Sequence, residues 1–412
     1  MEQLFFTINR FGSDYLERIR MFSRNVRLLI LSQFFIGLGM TFIGLLFNLY
    51  LQEAGRDKAF IGYVLALSHI TTAVVALPAG YLAGRYNHKI LLILSQILYG
   101  FAQIGVILVV QPNTLFGCII VAVAFSTLNG IVTGPFIICN SSTAERTYVF
   151  SISAVIGTVA AILGNTLGGL IKGFIANNGI PTIQSYQYTL LIGLGIALIG
   201  VMPLLFIRLS EPVCKADEAR PAFWPILKQN RGLVLKAVLP EFLIAVGAGL
   251  IVQFMNLYFK DTFGSSDQSI GVYMSAQGVA MVFAIILAPV MADRVGKVRT
   301  VAFTRLASIP FMIVLALTGH IEIAVTAFIF RIVLMNMTGP VLSSFYLGLC
   351  PPELQGILAA LFATTTSIAW AGSAVIFGRV LNGNYTTAFF IAAGLYVIAG
   401  TLFYLFFKKA EV

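Results

Sequence analysis

The sequence predicts an all-α integral membrane fold: twelve transmembrane helices in two pseudo-symmetric six-helix bundles. Three observations carry this expectation. Apolar residues make up 58% of the chain and charged residues 10%, whereas a soluble domain carries about a quarter charged; an aqueous fold cannot hide that much apolar surface, so the solvent is lipid. Twelve apolar runs of span length follow one another between short polar breaks. Finally, the stretches FNLYLQE (Phe47 to Glu53) and MNLYFKD (Met255 to Asp261) repeat at an offset of 208 residues in a chain of 412.

The elements follow in order. Residues 1–27 are mixed and charged, with Asp14, Glu17, Arg18, Arg20, Arg24 and Arg27 and no small-residue cleavage site, so a short amphipathic segment on the cytoplasmic membrane surface is expected rather than a signal peptide. A spanning helix needs about 20 apolar residues. Such runs lie near 28–51, 60–84, 89–110, 114–137, 148–174 and 187–208, and again near 233–259, 270–292, 298–318, 323–349, 355–380 and 386–407. Between them, SEPVCKADEARPAFWPILKQNRG (Ser210 to Gly232) is the longest polar stretch. It reads as a cytoplasmic linker, 210–232, joining bundles at 28–209 and 233–412. The four cysteines are scattered without metal-ligand spacing, so disulfides, metal sites and cofactors are not expected.

Lysine and arginine set the orientation. With the N-terminus in the cytoplasm, the cytoplasmic side holds 20 of the 26 basic residues; the outer side holds Arg56, Lys58, Lys172, Lys260 and Arg379, and Arg331 lies within a span. Both termini are therefore expected in the cytoplasm of a multi-pass plasma or inner-membrane protein. The net charge of +10 reads as a topology signal, not as a nucleic-acid surface.

The flanks of the repeated motif test the duplication. Leu31 to Glu53 and Leu239 to Asp261 share eight of 23 positions, spans four and ten both contain Thr-Gly-Pro (Thr133–Pro135 and Thr338–Pro340), and Glu145 and Glu353 follow them. The loop after span two reads GYLAGRYNHK from Gly80, and the loop after span eight reads ADRVGKVR from Ala292. This arrangement resembles the major facilitator superfamily, whose loop between spans two and three runs Gly-x-x-x-Asp-Arg-x-Gly-Arg-Lys. Gly80, Arg85 and Lys89 match in the first repeat, with Gly84 and Asn87 departing from the pattern; Asp293, Arg294, Gly296 and Lys297 match in the second. The resemblance covers the whole chain and implies a non-enzymatic secondary transporter whose loop charges latch the inner side shut. With Gly84 in place of the acid, the first latch is expected to be the weaker. Fixing topology alone is the competing role for these charges.

The resemblance also implies a cavity lined by spans 1, 4, 7 and 10 with the solute site near mid-membrane. Polar residues at that depth are costly and mark pathways. Arg331 lies about ten residues into span ten, near the midplane at roughly 1.5 Å per residue, and needs a carboxylate, carbonyls or an anionic ligand. Glu241 in span seven is the best candidate partner and a candidate proton-coupling group; alternatively it faces a cytoplasmic vestibule and pairs with Lys236 or Arg231. Its counterpart in the first repeat is Gln33. His69 in span two either carries a proton or bonds between helices. Asn336, Asn129, Gln253 and Trp370 are further cavity candidates.

Span five carries Gly164-Asn165-Thr166-Leu167-Gly168-Gly169, similar to the glycine motif of proton-driven exporters but with Asn165 for proline; tight helix packing explains it equally. Those exporters carry an arginine in span four where Ser126 stands here, which counts against their usual proton scheme. A deepest charge that is positive suits a neutral amphiphile or an anion. The leading expectation is a monomeric, proton-coupled exporter of a small organic solute working by alternating access. Uptake of an anionic metabolite, lipid flipping, or a non-transporting membrane sensor are the alternatives. Asn48, Tyr50, Asn256 and Tyr258 end spans one and seven and are expected to form an outer gate, with the tyrosines at the interface.

Overall fold

A computed structural model describes residues 22–109, 111–208 and 223–410. Residues 1–21 of the expected surface segment, 209 of the first bundle and 210–222 of the expected linker lie outside them. Every element among the described residues is helical. Among the described residues, twelve helices are long and apolar enough to cross a membrane: Arg24–Glu53, Lys58–Arg85, His88–Leu108, Pro112–Asn140, Tyr148–Asn177, Thr182–Leu205, Arg231–Phe263, Asp267–Val295, Lys297–Leu317, Ile321–Tyr346, Leu354–Val380 and Tyr385–Phe407. They are numbered below as spans 1 to 12.

Local chemistry sets several of these ends. Asn87 accepts from the Lys89 amide and caps span 3, so the residue that departs from the loop motif performs the N-cap role that asparagine favours. At the duplicated loop, Gly296 instead takes φ +97° between spans 8 and 9, a backbone that side-chain-bearing residues resist. Ser266 and Asn384 cap spans 8 and 12 in the same way as Asn87. Three spans of the second half are interrupted. Span 7 passes through a 3₁₀ turn at Val252–Phe254, span 10 breaks at Met337 and Thr338 before Gly339–Leu349, and span 11 ends in a π turn at Ile376–Val380. Thr133-Gly134-Pro135, in contrast, lies inside the unbroken helix Pro112–Asn140.

The chain divides into two compact units. The first comprises Met1–Thr41, Val75–Gly164 and Leu191–Ala216, with a core that includes Val26, Leu29, Leu92, Val132 and Phe136. The second comprises Phe42–Val74, Asn165–Leu190 and Asp217–Val412. It contains the Asn-Leu-Tyr ends of spans 1 and 7, and part of its core gathers Ala237, Ala288, Val301, Leu354 and Phe403.

Within the second unit, glycines let backbones meet. A Cβ on Gly62 of span 2 would strike the Ala374 carbonyl of span 11, and one on Gly271 of span 8 would strike the Asn165 carbonyl of span 5. A Cβ on Gly169 would lie 2.7 Å from the Asp267 carbonyl and 2.9 Å from the Gln268 Cα; one on Gly378 would meet the Lys58 carbonyl and lie 2.9 Å from the Ala59 Cα. Gly62 and Gly271, Asn165 and Ala374, Gly169 and Gly378, Lys58 and Asp267, Ala59 and Gln268 are all 209 residues apart. The contact of span 2 with span 11 is thus repeated, residue for residue, by span 8 with span 5. In this stretch of span 5, Gly169 sits where only a glycine fits, as the packing explanation of the glycine motif requires.

Candidate functional site

At the Asn-Leu-Tyr end, the second unit holds a reciprocal pair of hydrogen bonds. Asn48 Nδ2 donates to the Gln253 carbonyl at 2.8 Å, and Asn256 Nδ2 donates to the Leu45 carbonyl at 2.8 Å. Leu45 and Gln253 share the 208-residue offset of the two asparagines, so each repeat presents the same donor to the same station of the other. Both amides are buried, and a buried amide without a partner is costly. Tyr50 and Tyr258 are only 3% and 2% exposed, so they do not form the interfacial belt expected of them. Tyr258 donates to the Leu315 carbonyl at 2.7 Å, and Tyr50 accepts from Gln187 at 3.3 Å.

Ionic clusters flank these bonds. Asp261 pairs with Lys58 at 2.8 Å and accepts from Gln52 at 2.7 Å and from the Tyr385 hydroxyl at 2.8 Å. Asp267, buried at the start of span 8, pairs with Lys260 at 2.8 Å and with Lys172, and accepts from the Tyr186 hydroxyl at 2.9 Å. Satisfied in this way, a buried carboxylate is tolerable.

Gln253, at the 3₁₀ interruption, is a hub. Its carbonyl accepts from Asn48; its side-chain nitrogen donates to the Gly249 carbonyl at 2.9 Å and the Trp370 carbonyl at 3.2 Å; its side-chain oxygen lies 3.0 Å from His69 Nε2. With the amide nitrogen donating, the oxygen must accept, so His69 carries its proton on Nε2. His69 also meets the Trp370 ring edge-on at 5.4 Å. The histidine therefore has the geometry of a hydrogen bond between spans 2 and 7.

Trp370 connects this layer to a cavity of about 490 Å³ in the second unit. Glu241, Asn336, Tyr346, Gln355, Phe362 and Trp370 are among its lining residues. Two sequence expectations are corrected here. The partner of Glu241 is neither Arg331 nor Lys236 or Arg231. It is Arg305 of span 9, whose Nη1 and Nη2 each lie 2.9 Å from a carboxylate oxygen, while the Tyr346 hydroxyl donates at 3.2 Å. The partner of Arg331 is the Tyr396 hydroxyl, at 2.6 Å. Arg331 is 3% exposed and is not among the cavity-lining residues, so the charged group on the wall is the acid, not the arginine. The two-pronged contact is the strongest geometry available to a carboxylate and a guanidinium.

Arg305 was counted among the loop-side charges, yet it is 4% exposed and lies in the ninth position of a 21-residue helix. Its signal was faint. A single arginine near the basic end of a span looks like part of that end. Tyr346 and Tyr396 were missed because a tyrosine in an apolar run carries no signature of its partner.

Gln33 is half-buried, and Asn129 donates to Ser95 Oγ at 3.1 Å and the Leu92 carbonyl at 3.3 Å, tying span 4 to span 3. Lys89 donates to the Leu205 and Ile207 carbonyls at 2.9 and 2.6 Å, satisfying the end of span 6. Arg85 bonds the Tyr81 hydroxyl one turn back, and no atom among the described residues would meet a Cβ on Gly80. In the second unit Asp293 and Arg294 are exposed, and Lys297 reaches Ser344 at 3.4 Å. Asn336 donates to the Ile332 carbonyl at 2.8 Å within its own helix.

Comparison with known proteins agrees with this architecture. The chain is 26% identical over 303 residues to the multidrug resistance protein MdtG of Proteus mirabilis (strain HI4320), covering 70% of this chain and 71% of that one. A bacterial homologue of the human lysosomal transporter Spinster, solved in an inward-facing and unoccupied conformation, superimposes with a TM-score of 0.75 at 13% identity, over 94% of this chain and 98% of that one. The nucleoside transporter NupG superimposes with a TM-score of 0.70 at 17% identity, over 93% and 98%. The family model of the Major Facilitator Superfamily matches residues 29–374. This twelve-span chain belongs to the Major Facilitator Superfamily and is a membrane transporter, not an enzyme.

Proposed function

We propose that the chain exports a small organic solute by alternating access, driven by proton entry, working as a monomer in the plasma or inner membrane with both termini cytoplasmic. In this reading 28–209 and 233–412 are the moving repeats and 210–232 joins them. The carrying observation is the Glu241–Arg305 pair on the cavity wall, next to a layer held by duplicated contacts. Glu241 is reachable, with 18% of its side chain exposed, while Arg305 is at 5%. Protonating the carboxylate would leave the guanidinium buried without its counter-charge, which is strongly unfavourable. Proton binding is therefore linked to a rearrangement that finds Arg305 another partner, as coupling requires.

The reciprocal Asn48 and Asn256 bonds act as the outer gate, with Tyr50 and Tyr258 packing behind them. The two loop motifs, Gly80, Arg85 and Lys89 with Asp293, Arg294, Gly296 and Lys297, form the opposing latch. The relationship to a multidrug resistance protein supports export.

The test uses inside-out membrane vesicles with an acid interior and a panel of aromatic dyes. Dye should accumulate and should be released by a protonophore. Accumulation in right-side-out vesicles instead would make the chain an uptake carrier. Glu241→Gln should abolish gradient-driven accumulation yet retain dye exchange at equal pH; unaltered gradient-driven accumulation removes Glu241 from coupling.

A further inference from the structure

Arg305 decides what charge the cavity accepts. We infer that the site takes an uncharged, planar aromatic amphiphile, because Arg305 cancels the one charged side chain on its wall; this rests on reading the cavity as the solute site. Glu241 is the only carboxylate or cationic side chain among the described residues lining the cavity. Both of its oxygens are engaged, one by Nη1 of Arg305 and by Tyr346, the other by Nη2 of Arg305.

A cationic solute approaching Glu241 must compete with a two-pronged guanidinium that is already desolvated. In this conformation Arg305 is closely held: its guanidinium sits 5.4 Å from the Phe403 ring centre, and its Nε is buried without a hydrogen-bond partner among the described residues. Displacing it would leave a buried, unmatched charge. An anionic solute meets a carboxylate at the wall, with the compensating guanidinium behind it. Either ion therefore faces a repulsive or unpaired group, the element that makes a site selective.

What remains on the wall suits a flat neutral body. Trp370 and Phe362 offer ring faces or edges, Ile244 and Leu358 offer apolar surface, and Asn336 keeps a carbonyl oxygen as acceptor after its nitrogen bonds the Ile332 carbonyl. Small-molecule sites are built this way, mostly apolar with a few placed polar groups.

Trp370 supplies the readout, since the chain contains only two tryptophans and Trp224→Phe leaves Trp370 alone. Three probes share one ring system and differ in charge: 9-anthracenemethanol, 9-anthracenylmethylammonium and 9-anthracenecarboxylate. Energy transfer from Trp370 is titrated in the full-length Trp224→Phe protein in lipid nanodiscs. The alcohol should bind saturably and about tenfold or more tighter than either ion. Arg305→Gln should shift preference to the ammonium, Glu241→Gln to the carboxylate, and the double variant should return it to the alcohol.

Tighter binding of either ion by the parent protein overturns the inference while leaving the cavity as the solute site. Saturable binding of none of the three overturns both. If a single variant fails to fold, the parent's ranking of the three probes still decides.

Discussion

The Asn-Leu-Tyr layer and the cavity wall are built from the same duplicated stations, and they have diverged to opposite degrees. In the layer the asparagines and glycines of the two repeats make the same contacts. Asn48 and Asn256 make mirror-image bonds at 2.8 Å, and Gly62 and Gly271 face equivalent carbonyls. At the wall they disagree. Glu241 is matched in the first repeat by Gln33, and Arg305, at the 209-residue offset of the glycines, is matched by Gln96. Burial at these stations is nevertheless conserved between the repeats: Ser95 and Thr304 are both 0% exposed, and Gln96 and Arg305 are 3% and 4%. A contact between two related backbones is self-complementary and constrains both copies together. A charge pair within one repeat answers only to its own surroundings, so one copy can hold amides and the other an ion pair.

The comparison can be broken most forcefully at the wall. Arg305→Gln alone should destabilise the protein by about 1–3 kcal/mol, the cost of leaving Glu241 without its partner at a wall that is only partly buried. Glu241→Gln with Arg305→Gln, which imports the amides of the first repeat, should recover most of that loss in thermal denaturation. A double variant no more stable than the single one would mean that the stations are not interchangeable.

Next come the glycines. Gly62→Ala and Gly271→Ala should each cost about 1–3 kcal/mol through overpacking, and nearly equally, since each added methyl meets a duplicated carbonyl. Clearly unequal losses would show that the two helix contacts do not carry equal weight. The asparagines should give the smallest effect. Asn48→Ala and Asn256→Ala should each loosen the layer by about 0.5–1.5 kcal/mol. This would be read as faster labelling of a cysteine placed at position 52 in a background lacking the four native cysteines. If only one of the two accelerates labelling, the reciprocal arrangement does not act as a gate.

Composition, run length and the repeated Asn-Leu-Tyr were enough to read the class, the twelve spans and the duplication, because lipid forces every backbone group into helices of a fixed minimum length. Glu241 was legible as an acid too deep in a span to be incidental. Its partner was not. Arg331 looked central by counting residues along span 10, but depth along a helix says nothing about which neighbour a side chain faces, and Arg331 faces Tyr396. The tyrosines of the repeated motif showed the same limit, reading as interfacial by type and lying buried by packing.

Sequence alone determined that the chain crosses a membrane twelve times and that its halves descend from one repeat, since both follow from periodicity and from the cost of exposing polar backbone to lipid. Only the tertiary structure decided that Glu241 and Arg305 meet, that Gln253 joins the cavity to the Asn48 bond, and that two pairs of glycines mark the same contact made twice. Those facts depend on which helix faces are turned towards each other, and packing sets that rotation.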